Sequence, residues 1–420
     1  MICEIFGKYV KCFTFKFNKV CSNVLAIRSE KMNKITRISI NKMFIHLTNR
    51  DEFAKRYCRN KKNYCLYHLL ALIIFFGMGG GFMLTVAYIG NGKSTNRYHL
   101  PFALKQKDKI RVKTIYARHL SQVWTPIAGV NYTTEIEDIY QDAEIQLVII
   151  TTPNATHYPL AKDCLLHGKN VLVEKPFSLS YAEAQELFQI ADEKGLFVQC
   201  YQNRRFDSDF LTVQKVIESG KLGDLLEVEM HFDYFRPEVP LAADHFSIAD
   251  SFLYGHACHT LDQVISYFGE PDEIRTEARQ LLGKNRMNDY FDLDLYYGQL
   301  KVSVKSSYFR IKPRPSFIVY GTKGMFVKET KDRQEEHLKM FYMPTHPDFG
   351  VDLPEHYGTL TYVDDCGNYH EEKVISEVGD YSRFYEALYD TIVLGKDKLV
   401  KDEETLLQMK LLEAAIHQLS

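Results

Sequence analysis

The segment Gly90-Asn91-Gly92-Lys93-Ser94-Thr95 follows an apolar run, Met83-Leu84-Thr85-Val86-Ala87-Tyr88-Ile89, and has the spacing of a phosphate-binding turn. In such a turn the first glycine makes the tight bend. The second lets backbone approach a pyrophosphate, and the N-terminus of the next helix favours the anion. Gly90 and Gly92 fill these two places, with Lys93 and Ser94 completing the turn. Thr95 stands where a third glycine or an alanine is usual, so helix and strand are expected to pack less closely. A nucleoside-triphosphate loop is excluded by spacing, because its first glycine would fall on Ala87, inside the strand. A glycine turn of this kind also occurs without a ligand.

Two further groups of residues could do chemistry. Ile115-Tyr116-Ala117-Arg118-His119 ends a second apolar run, and no Asp or Glu occurs from Arg111 to Trp124. An acidic residue there would hold the ribose 2′-hydroxyl of NAD; Arg118 and His119 suit a 2′-phosphate instead. NADP is therefore the expected cofactor, with NAD as the alternative, and a plain basic surface pair as the reading without a ligand. In Tyr254-Gly255-His256-Ala257-Cys258-His259-Thr260-Leu261-Asp262, helical spacing puts His256, His259 and Asp262 on one face. A neutral imidazole there suits general-base work near pH 7, and zinc is less favoured because no further ligand cluster accompanies the three.

These residues need elements to hold them. Strands are expected at Leu84–Gly90, Ile110–Ala117, Leu147–Thr151, Asn170–Glu174 and Phe197–Gln202. Helices are expected at Tyr98–Lys105, Ile136–Asp142, Thr156–His167 and Ser180–Lys194. Strand–helix alternation with nearly continuous apolar strands implies a parallel sheet covered on both faces, a doubly wound Rossmann-type α/β domain over residues 83–203. From residue 204 the pattern changes. A helix at Phe210–Ser219 precedes strands at Leu226–Phe232, Glu273–Arg279, Asp289–Tyr297, Leu300–Tyr308, Phe317–Tyr320 and Met325–Lys328, then helices at Tyr381–Leu394 and Glu403–Gln418. This predicts an α+β domain over 204–420 with a large, mostly antiparallel sheet, one face on helices.

Three segments lie just past strand ends: Thr152-Pro153-Asn154-Ala155-Thr156-His157, Val173-Glu174-Lys175-Pro176-Phe177 and Tyr201-Gln202-Asn203-Arg204-Arg205-Phe206-Asp207. Open α/β sheets bind ligands there. With the glycine turn, these segments resemble the glucose–fructose oxidoreductase/inositol dehydrogenase family from about Met83 to Ser420. Gly90–His99 and Tyr201–Asp207 are most similar to a poorly characterised bacterial subgroup. The resemblance implies that Thr152, Pro153, Asn154 and His157 line the cofactor. It also implies that Glu174, Lys175 and Asn203 stand by the nicotinamide, and that Pro176 follows a cis bond. Lys175 and His259 would be catalytic, the ammonium stabilising alkoxide character or polarising a carbonyl. The alternatives are a solvated lysine before a turn and a satisfied helix histidine.

The resemblance has one gap. Many family members carry an aspartate four residues before the histidine, where this sequence has Gly255. His256 or Tyr254 could take its place, or the substrate could differ. Tyr234 and Arg236, beside the Pro- and Ala-rich loop Arg236–Asp250, are candidate substrate contacts, with surface roles as the alternative. The implied activity is hydride transfer between a nicotinamide and a sugar, cyclitol or related polyol. A sensor that binds dinucleotide without turnover is the reading from another class. The family also implies a homodimer or homotetramer through the open sheet face.

The chain has 420 residues, 45% of them hydrophobic and 25% charged, enough for a sizeable core, and its net charge of −2 offers nucleic acid or an anionic membrane no attraction. Nine cysteines without a C-x-x-C pair suggest reduced thiols and a cytoplasmic setting. Residues 1–82 lack a steady period and end in the apolar stretch Leu66–Leu84. They are read as an extension outside the fold, with Met83 as the expected start and an untranslated leader before it. A single membrane span is the competing reading.

Overall fold

The computed structural model describes residues 83–120 and 123–419; the apolar stretch before Met83 lies outside them. The first half opens with β1 (Leu84–Ile89), a wide π-helical turn (Ser94–His99), α1 (Leu100–Lys105), β2 (Ile110–Tyr116), β3 (Asn131–Thr133) and α2 (Glu137–Tyr140). It continues with β4 (Leu147–Ile150), α3 (His157–Leu166), β5 (Asn170–Val173), α4 (Tyr181–Lys194) and β6 (Val198–Cys200). All six strands are parallel, in the order β3-β2-β1-β4-β5-β6. Every residue of β1 and β4 is buried, as a sheet covered on both faces requires. The order in which strands are added to the sheet reverses between β1 and β4, so the loops behind these two strands open a crevice at their carboxyl ends. Helix α4 follows its sequence signals closely: the Ser180 side chain accepts from Glu183 N–H, and Gly195 ends the helix in a left-handed turn.

The second half contains α5 (Ser208–Glu218), β7 (Leu225–His231), α6 (Glu238–Ala242), a second π-helical turn (Leu253–Ala257) and α7 (Cys258–Phe268). Strands β8 (Glu273–Arg279), β9 (Tyr290–Tyr297), β10 (Leu300–Ser307), β11 (Phe317–Gly321) and β12 (Gly324–Lys328) follow. Then come α8 (Gln334–Lys339), β13 (Gly358–Val363), β14 (Tyr369–Val374), α9 (Ser382–Leu394) and α10 (Asp402–Ile416). Eight strands form one sheet, β14-β13-β12-β11-β7-β10-β9-β8. The sheet is mixed: β7 and β10 run parallel and the other pairs antiparallel. Alternating burial along β9 leaves Asp292, Asp294 and Tyr296 on the face away from the core.

Five short pieces depart from the expected pattern, among them strand β3 and helix α6. Strands β13 and β14 and helix α8 were not anticipated, because polar residues dominate α8 and β14. The two final helices do more than complete the second half. Phe384, Tyr385 and Leu388 of α9 pack with Tyr88, Phe102 and Tyr201 of the first half. Met409, Leu412 and Ile416 of α10 share a core with Leu187 and Phe188 of α4.

Candidate active site at the strand ends

Gly90 has φ +121°, and a Cβ built on it would lie 2.6 Å from Thr151 Oγ1. Glycine is therefore required by both backbone and space. At Gly92 an added Cβ meets nothing within 4 Å, so the turn is open where a pyrophosphate would approach. Asn96 Nδ2 shapes the turn by donating to Asn91 Oδ1 (2.8 Å) and Gly92 O (2.9 Å). Thr95 is buried and tightly held: its hydroxyl donates to Gly90 O at 2.7 Å and lies 2.6 Å from Thr151 Oγ1. A threonine thus replaces small-residue packing with hydrogen bonds. Lys93 is exposed, whereas the Ser94 hydroxyl is turned inward onto Glu174.

Arg118 and His119 are both exposed just beyond β2. Behind β4, His157 is fully buried. Its Nδ1 lies 2.7 Å from Pro176 O and its Nε2 2.9 Å from Thr152 O. It therefore ties the β4 and β5 loops together through backbone carbonyls. Burial lowers its pKa, against the opposing pull of the two carbonyls. The Thr156 hydroxyl donates to Pro153 O at 2.7 Å and lies 2.7 Å from the Thr152 hydroxyl. Asn154 Nδ2 donates to Ala249 O at 2.6 Å, anchoring the loop after α6 to the β4 loop. Asn203 is buried in the short helical turn behind β6.

Glu174 is buried, and burial alone would raise its pKa; His99, Lys175 and Ser94 instead hold the carboxylate down at about 2. His99 Nε2 stands 3.0 Å from Glu174 Oε1, and its Nδ1 is 2.7 Å from Tyr385 OH, which is 3.0 Å from Tyr88 OH. One assignment satisfies every group: Tyr88 donates to Tyr385, Tyr385 to His99 Nδ1, and His99 Nε2–H to Glu174. Tyr201 stacks on His99 with ring centroids 4.0 Å apart. None of these four partners had been singled out from the sequence.

The Lys175–Pro176 bond is cis. Lys175 Nζ donates to Gly255 O at 3.2 Å, from the π-helical turn before α7. Wide turns of this kind recur at functional sites. Lys175, His256 and His259 line a cavity of about 90 Å³, together with Tyr234 and Gly255. Three other lining residues, Arg204, Phe232 and Glu335, had not been assigned a role. Arg204 sat within a quoted motif, but Glu335 lies on the unanticipated α8. Tyr234 packs edge-on to His256, and Arg236 is exposed, its guanidinium 4.9 Å from the Tyr234 ring centre and outside the cavity lining.

Burial, then the charge of Lys175, pushes His256 down to about 3 and His259 well below the ordinary histidine value. Both rings are thus neutral near pH 7. His256 Nδ1 lies 3.3 Å from Phe252 O, whereas buried His259 Nδ1 has no hydrogen-bond partner among the described residues. An added Cβ at Gly255 meets nothing within 4 Å. Asp262 does not join the histidines. Its two oxygens take a bidentate pair from Arg205 (2.8 and 2.7 Å), which also binds Glu404 and Leu399 O. Among the described residues no group of three or more His, Cys, Asp or Glu is arranged to hold a metal ion. No helix among them is long and apolar enough to cross a membrane.

Residues 84–202 match the model described as oxidoreductase family, NAD-binding Rossmann fold, and residues 214–420 that of the same family's C-terminal alpha/beta domain. The chain is 44% identical over 340 residues to the uncharacterized oxidoreductase YhhX of Escherichia coli (strain K12), covering 80% of this chain and 97% of that one. It is 31% identical over 335 residues to the scyllo-inositol 2-dehydrogenase (NADP(+)) IolW of Bacillus subtilis (strain 168), covering 79% and 93%. A crystal structure of an oxidoreductase from Bacillus cereus superposes with a TM-score of 0.74 at 43% identity, covering 80% of this chain and 96% of that one.

Proposed function

Because the chain belongs to the Gfo/Idh/MocA oxidoreductase family, we propose that it is an NADP-linked dehydrogenase or reductase acting on a sugar, cyclitol or related polyol. The observation that carries this reading is the convergence of Lys175, His256 and His259 on one small cavity past the end of β5, beside the ionised Glu174. Two features support a dinucleotide: Gly92 leaves the backbone of the turn open, and the basic pair Arg118–His119 is exposed just past β2, which favours a 2′-phosphate over a free 2′-hydroxyl. The NADP-dependent scyllo-inositol dehydrogenase among the relatives supports the same substrate class and cofactor.

A bound nicotinamide dinucleotide supplies the hydride acceptor or donor. The chain's own residues handle the proton and the oxygen. In oxidation, the carbinol C–H bond breaks with its electron pair, the hydroxyl proton passes to neutral His259, and a carbonyl forms. Lys175 stabilises the negative charge that develops on oxygen, as a preorganised cation in a secluded site does. In reduction, Lys175 polarises the carbonyl and the proton reaches the forming alkoxide from solvent by way of His259, which holds it only in passing. Glu174 remains ionised and is held by His99 rather than consumed in proton transfer.

The test is a fluorescence titration of residues 83–420 with NADPH and NADH separately, followed by turnover of Lys175→Met. Tighter NADPH binding, and lost turnover with retained binding in the variant, is the expected result. Tighter NADH binding overturns the cofactor assignment. Unchanged turnover in the variant overturns the role of Lys175, and cofactor binding without turnover of any polyol favours a dinucleotide sensor.

A further inference from the structure

The cavity beside Lys175 is lined by two cations, two neutral imidazoles, two aromatic rings and bare backbone at Gly255, and by a single carboxylate, that of Glu335. Glu335 comes from α8, a short helix of the second half. Its Oε2 accepts from Arg204, and its Oε1 accepts from Lys339 Nζ at 2.7 Å. Burial alone would favour protonation, but Arg204 and Lys339 keep the group firmly ionised. Each oxygen has one cationic donor, which leaves an accepting lone pair on each. Arg204 is itself fixed by Asp207 at 3.1 Å and lies over the Phe232 ring at 4.8 Å, so the pair is preorganised.

A carboxylate whose two oxygens are paired to Arg204 and Lys339 does not serve as the base, because taking a proton would break those pairs. Accepting hydrogen bonds suits it better. We propose that Glu335 is the substrate-recognition carboxylate of this cavity, accepting hydrogen bonds from hydroxyls next to the reacting carbon. The enzyme thereby selects vicinal polyols over deoxy analogues. This rests on the oxidoreductase reading above. Lys175 and His259 address the reacting oxygen, while Glu335, from a different element, addresses its neighbours. A site built around a hydroxyl rejects a substrate lacking it, because its own polar group is then left without a partner.

The probes are scyllo-inositol and a deoxyinositol, with Glu335→Gln and the double variant Gly255→Asp/Glu335→Gln. In the wild type, kcat/KM for the deoxyinositol should be lower by about 100-fold or more. Glu335→Gln should raise KM for scyllo-inositol by about 30-fold, change kcat much less, and narrow the discrimination, with NADPH affinity unchanged. A carboxylate returned at Gly255, where an added Cβ meets nothing within 4 Å, should recover part of the lost affinity. An unchanged KM with unchanged discrimination in Glu335→Gln overturns the proposal. Should that variant lose NADPH binding through misfolding, equal use of the two inositols by the wild type overturns it instead. Wild type that binds NADPH but neither inositol also overturns it, while leaving the dinucleotide-binding reading intact.

Discussion

Glu174 and His99 are separated by 75 residues in the chain and by 3.0 Å in the fold, and the histidine holds the carboxylate ionised where burial alone would neutralise it. The carboxylate's folded pKa of about 2 lies below its ordinary value of 4.5. Its contribution to stability is therefore complete above the ordinary value and lost as pH falls through about 2. His99→Leu removes the main partner and reverses the sign, because a buried carboxylate without it titrates high. The variant should lose about 3 kcal/mol at pH 8 and distinctly less at pH 4. Urea unfolding at both values measures this. A deficit independent of pH would mean that lost packing against Tyr201 dominates.

Gly90→Ala meets two obstacles at once, a φ of +121° and Thr151 Oγ1 at 2.6 Å. The expected outcome is a loss of about 2 kcal/mol or more, with NADPH affinity falling in parallel. Adding Thr151→Ala should not restore either property, because the Thr151 carbonyl oxygen remains 3.1 Å away and the backbone strain persists. Full rescue by the double variant would show that the hydroxyl alone was the obstacle.

The first half was legible because its signals are local. Apolar strands, the glycine turn and the Ser180 and Gly195 caps specify elements without reference to distant residues. The histidine face was legible only in part. Helical spacing brought His256 and His259 together, but Asp262 was drawn away by Arg205, a long-range partner that spacing cannot reveal. Tyr385 and Glu335 were invisible for the same reason. Each reaches the site from a distant helix, α9 or α8, and neither lies in a motif.

Arg205, in the turn where the second half begins, joins three of its other parts: Asp262 on α7, Leu399 O, and Glu404 on α10. It is 9% exposed and Asp262 is 3% exposed. Removing one partner of such a pair leaves an uncompensated buried charge. Asp262→Ala should therefore cost about 3–5 kcal/mol in urea unfolding. A loss below about 1 kcal/mol would mean that Glu404 and the carbonyl suffice for the guanidinium.

The two imidazoles that line the cavity make a prediction about pH. A base works only when neutral, and a depressed pKa keeps it neutral to lower pH. An ordinary histidine, with a pKa near 6.5, would make kcat/KM for oxidation fall as pH drops through that value. Here burial and the charges of Lys175 and Arg204 push His259 well below it, and burial and Lys175 push His256 to about 3. No histidine limb should therefore appear between pH 6 and 8. Arg204→Gln removes one of the charges acting on His259, so its acid limb should move to higher pH. Stability follows the same sign. The unfolded chain binds protons at these histidines near pH 6.5 while the folded chain does not, so stability falls as pH drops below that value. An acid limb near pH 6.5 in the wild type, unmoved in Arg204→Gln, would mean that the proton is taken by a group outside this cavity.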